Sequence, residues 1–420
     1  MSYDITSITV IDKILGTGAF GRVSEAYDKN GSKLAVKICE TTNTGIPNIT
    51  EPVIMSSIEH PYINRCLDIF PEKEKLYIIQ ERAISDLARQ VRKDYNGTPY
   101  TGNKLKKTLY QLVSAVRCLH RENILHCDIK ASNVLCFEEG ILRLGDFTLA
   151  IKKIDEAETY NHIVATPTHR PLECYLGLDW NEKLDIWSLG CTFYEIIFGK
   201  YFIPYQGTSN NRNIKGIKQK INKEHKKKSS ELIKQKNIAA HLAYTKSRDI
   251  EYYNSLGKVI PPDLDFKEAD KFSESFLSST LGNLLENMLH PNPKKRFDIE
   301  QVALHPYFIG LLPIKYYVYK PEEEPIDESE KKLIHAIINQ NSLGSMMNNM
   351  VLDIYAKIKK YPDMEITDKI LSALCIASKM ISNCFPVFEE LEFPNGKKYT
   401  LDEAIELERN ICTYLMFRLL

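Results

Sequence analysis

The apolar pattern of this chain changes period along its length, and that change restricts the fold sharply. Thr9–Ile14, Val23–Tyr27, Ser32–Cys39 and Lys75–Gln80 are short stretches rich in Val, Ile and Leu, the signature of strands. From Leu105 onward the spacing becomes helical, through Leu109, Leu112, Val113, Val116 and Leu119. Brief strands return at Asn133–Phe137 and Ile141–Leu144, and helical patterns dominate after Asp185. A strand-rich front joined to a helix-rich middle predicts an α+β protein with two lobes.

Charge excludes one class of function. Fifty-five basic residues balance fifty-five acidic ones, so no global basic field exists for wrapping nucleic acid, and nucleic acid is not an expected partner. The lysine-dense stretch 210–236, with Lys226-Lys227-Lys228, reads as a solvated insert or exposed helix, with a docking patch for acidic partners or nucleic acid as the alternative. Ten scattered cysteines form no C-x-x-C pair, which implies reduced thiols in an intracellular protein, cytoplasmic or nuclear. The start carries no leader pattern, and no apolar run approaches the roughly 18 residues of a membrane span, so no membrane role is expected.

Four segments stand out. Gly16-Thr17-Gly18-Ala19-Phe20-Gly21-Arg22-Val23 sits between two strands, where glycines let backbone approach phosphate closely. A strand on both sides argues against the dinucleotide-binding version, in which a helix follows. Lys37 ends the apolar run Leu34-Ala35-Val36, where an ammonium is costly unless it snorkels to solvent, is paired or meets an anion. His126-Cys127-Asp128-Ile129-Lys130-Ala131-Ser132-Asn133 packs a carboxylate, an ammonium and an amide into one short loop, and Asp146-Phe147 adds a second carboxylate. Phosphoryl transfer uses these groups together: a carboxylate for the attacking hydroxyl's proton, a lysine against phosphate charge, and oxygen ligands for a metal.

In this order the segments resemble the signature set of eukaryotic protein kinases. The resemblance runs from about Thr9 to Phe308, with Pro171-Leu172-Glu173 at the A-P-E position, Asp185-Ile186-Trp187-Ser188-Leu189-Gly190 at a helix start, and Arg296 as a late arginine expected to pair with Glu173. It implies a bilobal protein-kinase fold over 1–310, with lobes 1–81 and 85–310, that binds ATP and Mg²⁺ and phosphorylates protein substrates. ATP contacts are implied for Leu15, Gly16, Thr17, Gly18, Ala19, Phe20, Gly21, Arg22, Val23, Lys37, its partner Glu51, and Glu81 and Ala83 at the hinge. Asp128 and Lys130 are implied as catalytic, and Asn133 and Asp146 as metal ligands. Lys130 is the choice of Ser/Thr kinases rather than tyrosine kinases. Ile49-Thr50-Glu51 and the ungapped stretch Tyr160 to Glu173 resemble cyclin-dependent kinases in particular, which implies a preference for proline after the target residue. Within that stretch Thr166 and Arg170 are the activation-segment residues of interest beside Glu173.

The departures from that pattern are informative. Thr148 stands where the family has glycine after Asp146-Phe147, and its β-branch restricts how the segment flips. Pro52 follows Glu51, which either sets the start of the helix or makes the Lys37–Glu51 pair depend on other support. The phosphoacceptor position of the activation loop carries Asn161, and the arginine positions that would grip a phosphate carry Thr50, Cys127 and Ile151. Both halves of the phosphate clamp are missing together, so activity is expected not to need that phosphate.

Residues 320–328, within a segment 311–329, combine proline with acids like a linker. Beyond it, Leu371–Lys379 and Leu401–Leu419 read as apolar helices. The run from Ala373 to Lys379 and the later helix resemble a cyclin box, so 330–420 is expected as an all-α, five-helix cyclin-like domain. Lys379 and Glu408 would then meet the helix that starts near Ile49, making the activator an intramolecular partner. The rival reading is a pseudokinase scaffold that binds partners without transferring phosphate. A kinase and a cyclin box in one short chain hint at a viral or parasitic source, with a host cell as the compartment if viral.

Overall fold

The computed structural model describes residues 8–18, 21–40, 50–72, 75–94, 100–153, 158–203, 223–257, 259–260, 272–311, 317–318, 326–340, 351–352, 354–356, 359, 364–382, 403 and 407. The chain divides into two compact units. One comprises Met1–Ile84, Asp146–Glu156 and Lys315–Leu420, and the other Ser85–Gly145 and Ala157–Ile314.

The first unit is built on a five-stranded antiparallel sheet: β1 (Thr9–Gly18), β2 (Gly21–Tyr27), β3 (Lys33–Glu40), β4 (Asp68–Glu72) and β5 (Lys75–Glu81). The order is β1-β2-β3-β5-β4. Central strand β3 is apolar on both faces, as its position demands. Leu34, Val36 and Ile38 pack with Ala26 and Ile79, and the period of two sends Lys37 to the opposite face. Full burial of each such Val or Ile contributes about 1.5–3 kcal/mol relative to exposure. Helix α1 (Thr50–Ser57) follows, with Pro52 in its first turn. A first-turn N–H has no intrahelical partner, so proline costs nothing there.

The second unit is mainly helical. Helix α2 (Gly102–Arg121) forms where the apolar spacing requires it, and Leu105, Leu109, Leu112, Val113, Val116 and Leu119 are all buried. A small sheet of β6 (Ser85–Asp86), β7 (Val134–Cys136) and β8 (Leu142–Leu144) frames the polar loop between α2 and β7. Helix α3 (Lys183–Phe198) is buried nearly all round and ends at Gly199, whose φ of 66° suits glycine at a helix terminus. Helix α4 (Lys223–Arg248) absorbs the end of the lysine-dense stretch; its later residues Ile238, Leu242, Ala243 and Tyr244 are core, while 210–222 lie outside the described residues. Short helix α5 (Ile299–Ala303) opens with a capping box between Asp298 and Gln301. Its Glu300 takes hydrogen bonds from Arg117 and Arg121 of α2.

One group in α3 predicts a pH effect. Burial lifts the Glu195 carboxyl to about 7 from its ordinary 4.5, with His169 as its neighbour at 3.8 Å. The folded state then holds a proton that the unfolded chain releases, so this group's contribution falls as pH rises from about 4.5 through 7. Glu195→Gln is expected to raise stability over the parent at pH 8 by roughly 2 kcal/mol and to change it little at pH 5. Denaturant melts at the two pH values check this; an equal effect at both would exclude the titration.

The C-terminal part begins with β9 (Tyr317–Val318), which pairs with the two-residue strand Ile58–Glu59 directly after α1. Thus the segment expected as a linker carries a short strand. Helix α6 (Glu328–Gln340) buries Ile334, Ile337 and Ile338. Its Glu330 binds Lys359 at 2.7 Å and Tyr355 at 3.1 Å. Helix α7 (Ile366–Ser382) covers the expected apolar run, burying Ile370, Leu371, Ala373, Leu374 and Cys375, and it touches the short strand Ile151–Lys152. Of the helix expected over Leu401–Leu419, only Glu403 and Leu407 are among the described residues.

Candidate active site

In the helical unit the polar loop His126–Asn133 is fixed by its backbone. Asp185, in the first turn of α3, accepts from the amides of His126 at 2.8 Å and Cys127 at 2.9 Å, and it meets His120 Nε2 at 3.0 Å. Burial opposes the Asp185 charge, but these partners hold its pKa below the ordinary value. Cys127 sits at a φ of 61°, the left-handed region, where the two Asp185 bonds retain it. His126 contacts the Gly145 carbonyl at 3.1 Å through Nε2, and its Nδ1 takes the Asp128 amide at 3.3 Å.

This scaffold presents Asp128. Its Oδ2 accepts from Lys130 Nζ at 2.7 Å and Asn133 Nδ2 at 3.2 Å. Its Oδ1 accepts from the Thr166 amide at 3.0 Å and the Thr166 hydroxyl at 2.6 Å. Lys130 also donates to Thr166 Oγ1 at 2.8 Å. The arrangement therefore holds an aliphatic hydroxyl against a carboxylate with an ammonium alongside. Those are the parts needed to orient a hydroxyl, take its proton and offset phosphate charge.

In the sheet unit Lys37 pairs with Glu51 of α1 at 2.5 Å and with Asp146 at 2.8 Å, and donates to Thr148 Oγ1 at 2.9 Å. The Lys37–Glu51 pair is thus formed with Pro52 in the helix. Burial works against the Lys37 ammonium, but Glu51 and Asp146 outweigh it and raise its pKa above the ordinary lysine value. Asp146 has a φ of 62°. Thr148 is not among the positive-φ residues described, so a β-branched side chain is tolerated at the glycine position.

The glycine segment is the hairpin of β1 and β2, with Gly16 opposite Val23, Thr17 opposite Arg22 and Gly18 opposite Gly21. Leu15 precedes it in β1. Ala19 and Phe20 lie outside the described residues. The glycines differ in what requires them. A Cβ on Gly16 would meet nothing within 4 Å, leaving open space beside the backbone. At Gly21, φ is +143° and a Cβ would lie 2.2 Å from the Ile38 carbonyl oxygen of β3. Gly21→Ala is expected to cost about 3 kcal/mol in a denaturant melt, whereas Gly16→Ala should stay within about 1 kcal/mol of the parent. Equal effects would contradict this division of roles. At the end of β5, Glu81 meets Arg65 at 3.4 Å, and Ala83 is buried with its carbonyl taken by the Arg82 guanidinium.

In the helical unit the activation segment is tied down by backbone, indole and guanidinium contacts. Tyr160 pairs with Trp180 through two backbone hydrogen bonds, at 2.9 and 2.7 Å, and their rings lie 5.0 Å apart. The Trp180 indole donates to the His162 carbonyl at 2.8 Å. Arg170 donates to the Val164 and Ala165 carbonyls, each at 2.6 Å, and Ala165 has a φ of 64°. Glu173 meets Arg296 at 2.7 Å.

Two residues offer hard oxygen ligands of the kind Mg²⁺ takes. Asn133 turns its amide nitrogen to Asp128, so its amide oxygen is the end suited to a cation. Asp146 has a half-exposed carboxylate that meets Lys37 and Thr148 through Oδ1. Among the described residues, no group of three or more His, Cys, Asp or Glu is placed to hold a metal on its own. Of the expected cyclin-like contacts, Ile49 and Glu408 lie outside the described residues; Lys379 is in α7, and its side chain is not described.

Sequence reading passed over three features. The Thr148 hydroxyl joins the lysine cluster, although the sequence draws attention only to its branched shape. Asp185 holds the polar loop rather than merely starting a helix. Thr166 binds both Asp128 and Lys130. For Thr148 and Asp185 the signal was a polar residue at a position buried by its neighbours, where an unpaired group would be costly; half-buried Thr166 carries no such signal.

Comparison with known proteins agrees over most of the length. The protein kinase domain family matches residues 9–308. The chain is 31% identical to the cell division control protein 2 homolog 3 of Trypanosoma brucei brucei, over 70% of this chain and 90% of that protein. It is 29% identical to a probable cyclin-dependent kinase 10 of Dictyostelium discoideum, over 72% and 79% of the two chains. It is 26% identical to the stress-activated protein kinase JNK of Suberites domuncula, over 78% and 92%.

Proposed function

The chain belongs to the protein kinase family, and from that premise we propose that it is a Ser/Thr kinase of the cyclin-dependent type, acting on protein hydroxyls with ATP. The observation that carries this reading is the hydroxyl of Thr166, held 2.6 Å from Asp128 Oδ1 with Lys130 beside both. A substrate serine placed at that carboxylate would have its proton accepted by Asp128. Its oxygen forms the new bond to the γ-phosphorus, the bond from that phosphorus to the bridging oxygen breaks, and ADP leaves. Lys130 offsets charge on the transferred group. Lys37 contacts the α- and β-phosphates, and the backbone from Gly16 to Val23 covers them. Glu81 and Ala83 supply backbone contacts to adenine. Asn133 and Asp146 are the residues that would hold Mg²⁺, which when bound neutralises phosphate charge. Catalysis is then mostly positioning and electrostatics.

Proline preference has support in the activation segment. Arg170 occupies the Ala165 carbonyl, so that acceptor is taken and a following residue without an N–H loses nothing. Ser-Pro peptides are expected to be phosphorylated faster than their Ser-Ala counterparts.

The C-terminal part is proposed as a fused cyclin-like activator. In support, β9 pairs with the strand that follows α1, and α7 touches the strand Ile151–Lys152. Covalent linkage would supply an effective concentration of about millimolar. The aromatic and backbone ties of Tyr160 and Trp180 support independence from loop phosphorylation. The test is ATP-dependent phosphorylation of Ser, Thr and Tyr peptides by the full chain and by a chain ended after Gly310. The full chain should modify Ser or Thr; the shortened chain should lose most activity while still gaining thermal stability from nucleotide. Equal activity of the two chains would sink the activator role, and tyrosine transfer the Ser/Thr assignment.

A further inference from the structure

The hydroxyl of Thr148 lies inside the cluster that holds Lys37. It accepts from Lys37 Nζ at 2.9 Å, and its oxygen is 2.6 Å from Asp146 Oδ1 and 3.1 Å from Glu51 Oε2. A hydroxyl has one proton to give, and the shorter contact assigns it to Asp146. Thr148 thus bridges the ammonium to the carboxylate while Glu51 closes the other side. Glu51 and Thr148 are buried, whereas the Asp146 side chain is 44% exposed. This carboxylate sits on a left-handed backbone, and both Lys37 and Thr148 hold it by Oδ1. Glycine at this position would supply freedom of φ and no hydrogen bond.

We propose that Thr148 is a positioning residue that, through its hydroxyl, locks Asp146 and the Lys37–Glu51 pair into one unit before nucleotide binds. It touches neither substrate nor phosphate in this role; it acts through Asp146 and Lys37. The inference rests on the kinase reading for its catalytic consequence, but its structural half stands apart from activity.

The experiment compares the full chain with Thr148→Val, Thr148→Ser and Thr148→Gly. Two readouts are taken: kcat and KM for ATP with Mg²⁺, and the rate of Lys37 acylation by an amine-reactive ester at one fixed pH without nucleotide, read by peptide mass spectrometry. Loss of a hydrogen bond to charged groups predicts a fall in kcat of about tenfold to a hundredfold for Thr148→Val, with KM changed less than threefold. Lys37 should be acylated faster in that variant, because one of the groups that hold its ammonium is gone. Thr148→Ser should restore both readouts to within about threefold of the parent, and Thr148→Gly should behave like Thr148→Val. A valine variant matching the parent in acylation rate would overturn the proposal, as would a serine variant no better than valine or a glycine variant equal to the parent. If Thr148→Val does not fold, Thr148→Ala against Thr148→Ser makes the same comparison. If the parent transfers no phosphate, the kinase reading fails, and the acylation rates alone decide the role of Thr148.

Discussion

Asp128→Asn is expected to lower phosphate transfer by at least about a thousandfold while nucleotide binding stays within about threefold of the parent. The four donors around Asp128 give the reason. The amide and hydroxyl of Thr166 converge on Oδ1, and Lys130 and Asn133 converge on Oδ2. A carboxylate accepts from all four. An asparagine keeps one oxygen and replaces the other with an NH₂ group, which then faces two donors. The variant loses its capacity to take a proton and also misplaces either Thr166 or Lys130. A stability loss of about 1–3 kcal/mol should accompany this, so a thermal melt with and without ATP belongs beside the rate measurement. Activity within tenfold of the parent would remove Asp128 from the chemistry.

The largest expected effect on stability lies at Arg296, and removing either member of its ion pair should cost about 3–5 kcal/mol. Arg296 and Glu173 are both fully buried. The guanidinium has five N–H groups, and five bonds leave it: two to Glu173, at 2.7 and 3.3 Å, and one each to the carbonyls of His290, Lys183 and Pro291. Its plane also lies over the Trp187 ring, 5.0 Å from the centroid. Lysine has a point charge and three donors, so Arg296→Lys should rescue little. Glu173→Gln leaves the buried charge without its counter-ion and should cost a similar amount. The double variant Glu173→Leu with Arg296→Met should lose less than the sum of the two single losses, because no lone charge remains. Denaturant melts measure Arg296→Lys, Glu173→Gln, the double variant and its two single components, and single losses under about 1 kcal/mol would show that the pair is not what holds the segment before α3.

The sequence displays the frame of this protein well and its cross-links poorly. Strands β1, β3 and β5 and helix α2 lie close to where period and composition place them, because their burial is one-sided or central and the pattern records it. The residues of the polar loop are also visible, since Asp, Lys and Asn between apolar runs have few structural reasons to be there. What the pattern does not record is the contact between positions distant in sequence. Thr148 is 111 residues from Lys37, and at the sequence level only its shape attracts notice. Asp185 is 58 residues from Cys127, so the anchor of the catalytic loop looks like an ordinary first-turn acid. The left-handed φ values of Cys127, Asp146 and Ala165 carry no glycine signal. Cys127 and Asp146 take hydrogen bonds with Asp185 and Lys37, 58 and 109 residues away, and Ala165 with Arg170.

The most direct measurement is transfer of the ATP γ-phosphate to a Ser-Pro peptide library by the purified full chain, with Mg²⁺ present and no other protein added, against Asp128→Asn as the blank. Transfer well above the blank, confined to Ser and Thr, is the predicted result. Binding of Mg²⁺-ATP without any transfer above the blank would contradict it and leave a nucleotide-binding scaffold in its place.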